Sequence, residues 1–140
     1  MKLRNRVALV TGAAGGLGKA IALGMAREGA HLVICDVNEP GLAAVEKEIS
    51  ALGAQCLAVR CDVSSSTAVV RMFAEAATQF GTVHVLVNNA ALVPARPEDE
   101  VRRRRHYAYM TTPVPRQSLQ LTSSLSDEDW HRYWGVNVHG

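Results

Sequence analysis

Eight residues close to the start of the chain, Thr11-Gly12-Ala13-Ala14-Gly15-Gly16-Leu17-Gly18, join two segments with different apolar patterns. The segment before them, 7–10, is short, apolar and partly β-branched, which predicts a strand covered on both faces. The segment after them, 17–28, has apolar residues at helical spacing, and Gly29 follows as a C-terminal cap. The glycines therefore lie in a turn from strand to helix, where the first helical amides and the helix dipole attract an anion.

The alternation of strand and helix continues after this turn. We predict further strands at 31–35, 56–59 and 83–87, and further helices at 39–52 and 64–80. The last of these helices should turn Val69, Val70, Phe73 and Ala77 towards the sheet. Four strands that alternate with three helices predict a parallel sheet with right-handed crossovers. The expected fold class is therefore α/β, a Rossmann-type doubly wound parallel sheet that is incomplete, with about four strands and flanking helices.

The pattern is interrupted between residues 93 and 122, a segment that contains four prolines and shows no sustained period. We predict a long loop insertion there. Its arginine run, 102–105, permits two interpretations: a solvated insertion, or a lid over an anionic substrate, such as a carboxylate or an acyl thioester with a phosphate-bearing carrier, which would suit a 3-oxoacyl-type substrate. Helical spacing resumes after Ser126, a predicted N-cap. The 140 residues are expected to form one dinucleotide-binding domain that is truncated at its carboxyl terminus.

The composition is that of an ordinary globular domain, with 48% hydrophobic and 20% charged residues. The net charge of +2 arises in the arginine-rich segment alone, and this does not predict a nucleic-acid surface. No apolar run is long enough to cross a bilayer, and no signal sequence is expected. Three cysteines without metal-ligand spacing predict reduced thiols, no metal site and a cytoplasmic location.

The glycine turn has the form Thr-Gly-x-x-x-Gly-x-Gly, in which three residues separate the first two glycines. Gly12 should permit the tight turn, and Gly16 should let the backbone approach a diphosphate. Gly18 should allow the helix to pack closely on the sheet. The alternative is a glycine turn with a purely structural role, but the strand-turn-helix context favours binding of a dinucleotide.

With this motif in this context, the sequence resembles the short-chain dehydrogenase/reductase family, of which it covers the amino-terminal portion. The resemblance extends over residues 5–92 and resumes at 126–140. It implies that the turn, including Thr11 and Leu17, contributes to a cofactor site. It also implies hydride transfer between a nicotinamide cofactor and an alcohol or ketone in the complete enzyme, which by the same resemblance is expected to be a homo-oligomer.

The second strand ends at Asp36, where a carboxylate can accept hydrogen bonds from the adenosine ribose and would repel a 2′-phosphate. No basic residue stands at Ala13, Ala14, Gly15 or Val37, where one could neutralise that phosphate. We therefore predict NAD as the cofactor, with NADP less favoured. A solvated acid at a strand end is the alternative interpretation.

Two further segments carry the resemblance. Asp62 and Val63 follow the third strand and are similar to the family's adenine site, although an acid before a helix is also a common cap. Asn88-Asn89-Ala90-Ala91 follows the fourth strand and is similar to the family's Asn-Asn-Ala-Gly sequence. The resemblance implies that Asn88 belongs to the cofactor site and that Ala90 lies against the cofactor ribose.

Asn137 matches the helix asparagine that helps to hold a water in the family's proton relay, and it is the one catalytic residue predicted here. The family's serine and Tyr-x-x-x-Lys sequence are absent, because Tyr107, Tyr109 and Tyr133 have no lysine four residues later. We therefore expect these 140 residues to be inactive by themselves. A non-catalytic module that binds NAD or a partner is the alternative function.

Overall fold

The computed structural model describes residues 1–92, 100, 104, 107–108, 110–111 and 126–140. In chain order its elements are β1 (Val7–Thr11), α1 (Gly16–Arg27), β2 (His31–Asp36), α2 (Glu39–Ala51), β3 (Cys56–Arg60), α3 (Ser66–Phe80), β4 (Val85–Val87) and α4 (Asp127–Asn137). Strands and helices alternate as the sequence predicts, although β4 begins two residues later than expected.

The four strands form one parallel sheet in the order β3-β2-β1-β4. Val7 pairs with His31 at the start of β1, and Ala8 pairs with Val85 on its other side. The chain thus moves outward from β1 to β3 and returns to place β4 beside β1. This reversal of strand order opens a crevice at the carboxyl ends of β1 and β4, and it confirms the predicted Rossmann-type sheet.

The sheet separates two apolar cores because side chains alternate between its faces along each strand. One core joins β1 and β2 to α1 and α2, and its buried residues include Ile34, Val45 and Ile49. The other core joins the same strands to α3, where Leu9 and Met72 are buried. Helices on both faces explain why β1 and β2 are continuous apolar runs.

The inner face of α3 differs from the prediction. Met72 and Ala76 are the buried residues of this helix, whereas Val70 is 69% and Phe73 37% exposed. Ala77 is exposed as well, and of the predicted inner residues only Val69 packs against the core. Because α3 carries apolar residues on more than one side, its sequence period did not define the buried side.

The sequence predicts a loop over 93–122, but the residues described there are helical. They are Glu100, Arg104, Tyr107, Ala108, Met110 and Thr111. Arg104 Nε lies 2.9 Å from Glu100 Oε1, an i,i+4 ion pair that supports a helical turn. No proline occurs between 97 and 113, which is compatible with the helical conformation of these six described residues. The rest of the predicted insertion, including most of the arginine run, lies outside the described residues. Among the helices that the structure describes, none has the length and apolarity to span a bilayer.

Candidate functional site

A cavity of about 830 Å³ opens at the carboxyl ends of the strands, between the glycine turn and α4. Its size is that of a typical small-molecule or cofactor site. The turn and strand ends contribute Gly12, Gly16, Leu17, Asp36, Val37, Cys61, Asp62, Val63, Ser64, Asn89, Ala90, Ala91 and Leu92. The opposite wall belongs to α4 and consists of His131, Arg132, Gly135 and Val136.

The glycine turn brings the first turn of α1 to the cavity. Gly12 and Gly16 have φ angles of +64° and +54°, a conformation that glycine adopts without strain. A Cβ on Gly16 would meet no atom within 4 Å, so the backbone faces open space at this point. The first amides of a helix lack partners within the helix and can bind an anion. Leu17, 71% exposed, lies beside them at the cavity.

Gly18 lies behind the cavity wall, where α1 is in close contact with the glycine turn. A Cβ at this residue would lie 2.2 Å from Gly12 O and 2.6 Å from Asn89 Nδ2, distances that no side chain tolerates. The absence of a side chain at Gly18 therefore lets α1 begin directly against the turn.

Thr11 ties the end of β1 to the chain after β4. Its buried hydroxyl accepts hydrogen bonds from the amides of Asn89 at 3.0 Å and Ala90 at 2.9 Å, and donates to Val87 O at 3.4 Å. The side-chain amide of Asn89 donates back to Thr11 O at 2.9 Å and to Gly12 O at 3.2 Å. Thr11 does not line the cavity itself, but it fixes the two segments that do.

Asn89, not the predicted Asn88, is the asparagine that lines the cavity. Asn88 is exposed and is not part of the cavity wall, while Ala90 is. The sequence shows two adjacent asparagines of equal chemistry, and only the direction in which the chain leaves β4 distinguishes them. The burial alternation along β4 could have suggested the choice, because neighbouring residues face opposite sides.

Asp36 lies at the end of β2 with its carboxylate at the cavity. Oδ2 accepts a hydrogen bond from Ala14 N at 3.1 Å, and Oδ1 accepts one from Asn38 N at 3.0 Å. The acid is thus held between the glycine turn and the start of α2. Each oxygen keeps a further lone pair for a ligand hydroxyl. Val37, 59% exposed, extends the wall beside it.

Asp62 caps the turn after β3. Its Oδ1 accepts from the hydroxyl of Ser64 at 2.7 Å and from the amide of Ser64 at 2.9 Å. These two hydrogen bonds hold the pKa of the Asp62 carboxyl below its ordinary value, with a further contribution from the charge of Arg60. Asp62 therefore acts as a turn-forming residue and also lines the cavity together with Val63.

None of the four α4 residues that line the cavity was predicted as a site residue from the sequence. A Cβ at Gly135 would make an ordinary contact with Ser64 Cβ at 3.6 Å, whereas one at Gly140, just after α4, would lie 2.7 Å from Val63 Cγ2. His131 and Arg132 are exposed on the cavity side of the helix. No local signal marks them, because their position depends on how α4 returns to the sheet.

Asn137, the predicted catalytic residue, joins α4 to the chain after β4. Its Oδ1 accepts from Leu92 N at 2.7 Å, and its Nδ2 donates to Leu92 O at 3.1 Å. Both ends of the side-chain amide are therefore engaged with backbone. Asn137 does not line the cavity, but Leu92 does, so the asparagine holds one cavity residue against the helix.

The three cysteines are free thiols, and Cys61 lines the cavity. Burial raises the pKa of Cys35 and of Cys56 to about 12 and also raises that of Cys61, which keeps these thiols protonated near neutral pH. Among the residues that the structure describes, no group of three metal-ligating side chains comes together.

The predicted site residues thus fall into two groups. The cavity is lined by Gly12, Gly16, Leu17, Asp36, Asp62, Val63 and Ala90. The wall behind it is formed or held by Thr11, Gly18 and Asn137, and Asn88 lies outside both groups. Most predicted residues therefore converge on one cavity, from four separate parts of the chain, one at the end of each strand.

Comparisons with known proteins agree with this geometry. The profile of the short chain dehydrogenase family matches residues 6–140. The short chain dehydrogenase/reductase dpmpG of Macrophomina phaseolina is 44% identical over 92 residues, which are 65% of this chain and 53% of that protein. A diacetyl reductase, (S)-acetoin forming, of Staphylococcus epidermidis is 40% identical over 97 residues, 69% of this chain and 38% of that protein. The chain spans about half or less of the length of these relatives.

Solved structures share the fold over nearly all of the chain. The crystal structure of NAD⁺-bound xylitol dehydrogenase superposes with a TM-score of 0.77 at 28% identity and covers 99% of this chain and 44% of that one. A metagenomic short-chain oxidoreductase in complex with NADP gives a TM-score of 0.73 at 28% identity and covers 98% and 52%. A family match over nearly the whole sequence, joined to this sheet and this glycine turn, makes the chain a member of the short chain dehydrogenase family.

Proposed function

We propose that this chain is the NAD-binding part of an oxidoreductase that transfers hydride between NAD(H) and an alcohol or ketone. One observation carries the proposal: the open first turn of α1 and the carboxylate of Asp36 face the same cavity. Family membership supports an oxidoreductase with a nicotinamide cofactor. The structural neighbours include complexes with NAD and a complex with NADP, so the choice between the cofactors depends on this chain's own residues.

The residues of the cavity fit a dinucleotide. Gly16 leaves room for a diphosphate at the helix amides, since a Cβ there would point into open space. Asp36, already fixed by Ala14 and Asn38, can accept hydrogen bonds from both ribose hydroxyls. The same carboxylate opposes a 2′-phosphate, and Val37 beside it carries no compensating charge. These features favour NAD.

The far end of the cavity suits the adenine ring. Asp62 can accept a hydrogen bond from the exocyclic amine, while Val63 offers an apolar surface to the base. Ala90 would contact the neighbouring ribose. Asn89 supports that contact through its hydrogen bonds to the glycine turn, so we propose for Asn89 the role in the cofactor site that the family resemblance implies for Asn88.

When bound, the nicotinamide supplies the hydride acceptor or donor. The described residues bind and orient that cofactor, and Asn137 keeps α4 and Leu92 in place beside it. The sequence presents no tyrosine with a lysine four residues later, the pair that the family resemblance assigns to proton transfer. We therefore propose that these 140 residues bind the cofactor without turning over substrate.

We further propose that the complete enzyme is a homo-oligomer that works on small alcohols or ketones in the cytoplasm. Val70 on α3 and Leu86 on β4 are 69% and 49% exposed, and such apolar side chains favour association. The free thiols of Cys35, Cys56 and Cys61 suit a reducing compartment.

A titration of the purified chain with NAD tests the proposal, with tryptophan fluorescence as the readout because Trp130 and Trp134 lie on α4. Saturable binding is expected, and Asp36→Asn should weaken it by about tenfold because charged acceptor bonds to the ribose are lost. Asp127→Asn, on the first turn of α4 outside the cavity wall, is the matched control. Absence of NAD binding would refute the proposal.

The same preparation separates the two candidate functions. Mixed with NAD and a panel of small alcohols, the chain should produce no NADH if it is the cofactor-binding part alone. A non-catalytic module that binds a partner predicts the same absence of turnover but needs no selectivity for NAD over NADP. A chain that binds both dinucleotides equally would therefore favour the module.

A further inference from the structure

A cluster of charges lies next to the cavity, at the carboxyl ends of β2 and β3. Asp36 and Arg60 are register partners on these adjacent parallel strands. Asp36 comes two residues after Ile34, and Arg60 two residues after Ala58. Both Ile34 and Ala58 contact the core that involves α1 and α2, and residues two apart on a strand face the same side, so Asp36 and Arg60 also point to that face of the sheet. Strands of one sheet are about 5 Å apart, which makes Arg60 the nearest neighbour of Asp36 on β3.

Glu39 holds the Arg60 side chain. Glu39 Oε1 lies 2.9 Å from Arg60 Nε, and both side chains are about two-thirds exposed. The position of Glu39 as the first residue of α2 is itself fixed. Asp36 accepts from Asn38 N, and Asn38 caps α2 by accepting from Gly41 N at 3.2 Å. The Glu39–Arg60 ion pair therefore begins at the same turn that positions the Asp36 carboxylate.

The Arg60 charge reaches the wall of the cavity although Arg60 does not line it. The carboxyl of Asp62 has a lowered pKa, mainly from its two bonds with Ser64, and the Arg60 charge contributes as well. Arg60 is thus the register partner of one cavity acid, Asp36, and its charge acts on another, Asp62, while Glu39 occupies its guanidinium. The Glu39–Arg60 ion pair is exposed and therefore weak in water. If Glu39 did not hold the guanidinium, a phosphate could attract it.

We propose that Glu39 is a positioning residue for cofactor selection, which strengthens the preference for NAD by holding Arg60 away from the ribose of the bound dinucleotide. This inference rests on the proposed function. Asp36 opposes a 2′-phosphate directly, and Glu39 acts through Arg60 by withholding the one cation on the neighbouring strand end. Without Glu39, the guanidinium can turn towards a 2′-phosphate placed beside Asp36.

The test measures the dissociation constants of NAD and NADP for Glu39→Gln. NADP should bind about fivefold more tightly than to the unmodified chain, while NAD changes by less than about twofold. The double variant E39Q/R60Q should lose the gain, because the guanidinium is then absent. At 0.5 M NaCl the gain should shrink, since the interaction is between exposed charges.

Glu48→Gln is the matched control, because it breaks an ion pair of the same kind between helices, Lys19 Nζ to Glu48 Oε1 at 2.7 Å, neither partner of which lines the cavity. E48Q should leave both constants unchanged. Unchanged NADP binding in E39Q, an equal gain in E48Q, or a gain that persists in E39Q/R60Q would each overturn the inference while NAD binding stands. If the unmodified chain binds neither dinucleotide, the proposed function fails and the inference fails with it.

Discussion

Replacing Gly18 with alanine tests whether the glycine turn depends on the close contact between α1 and the sheet. The new Cβ would lie 2.2 Å from Gly12 O and 2.6 Å from Asn89 Nδ2, so the helix must move by roughly 1 Å to relieve the overlap. Overpacking of this kind costs about 1–3 kcal/mol. Displacement of Asn89 also weakens its bonds to Thr11 O and Gly12 O, which contribute about 1 kcal/mol each.

Alanine favours the helix more than glycine does, and this offsets up to about 1 kcal/mol of the loss of stability. We therefore expect Gly18→Ala to lower the free energy of unfolding by about 2–3 kcal/mol, a large part of the stability of an ordinary domain. Urea denaturation followed by circular dichroism at 222 nm measures this change directly. The slope of the transition should stay the same, since the surface exposed on unfolding does not change.

Gly24→Ala is the matched control on the same helix. A Cβ at Gly24 meets no atom within 4 Å, and its φ is not in the left-handed region, so alanine should stabilise the chain by about 0.5–1 kcal/mol. The two substitutions are chemically identical and should act in opposite directions. If G18A proves as stable as G24A, the close contact does not limit the turn and the reasoning is wrong.

Two further predictions concern the strand ends. Thr11→Val removes the buried acceptor of the Asn89 and Ala90 amides, so it should lower the free energy of unfolding by about 1–3 kcal/mol in the same urea assay. Thr78→Val, at an exposed position, should change the free energy of unfolding by less than about 0.5 kcal/mol. Equal effects of the two substitutions would contradict the role of Thr11. Asp62 has a lowered pKa in the folded chain, so its stabilising effect is complete above the ordinary value near 4 and is lost as pH falls through the lowered value. Thermal unfolding between pH 6 and pH 2 should therefore show a smaller loss of stability for Asp62→Asn than for the unmodified chain, and parallel curves would refute this.

The sheet and the glycine turn could be predicted because local sequence determines them. Strands β1 and β2 are covered on both faces, and this burial requires the unbroken apolar runs at 7–10 and 31–35. Gly12 has a positive φ, which other residues adopt only with strain, so a glycine at this position indicates the turn in the sequence. The position of Asp36 follows from the end of β2.

The remaining features depend on contacts between distant parts of the chain. Asn88 and Asn89 have the same chemistry, and only the exit geometry of β4 brings Asn89 to Thr11. Arg132 reaches the cavity through the return of α4 to the turn after β3. The pairing of Glu39 with Arg60 requires the register of β2 against β3, which no local pattern specifies.

The central claim is that the amides at the start of α1 bind the diphosphate of NAD while Asp36 binds its ribose. A titration of the ¹⁵N-labelled chain with NAD, followed by heteronuclear NMR, tests this most directly. We predict that the largest shifts occur at the amides of Gly16, Leu17 and Gly18, with a second group around Asp36, and that NADP needs higher concentrations for the same change. Shifts confined to other parts of the chain, or equal responses to both dinucleotides, would contradict it.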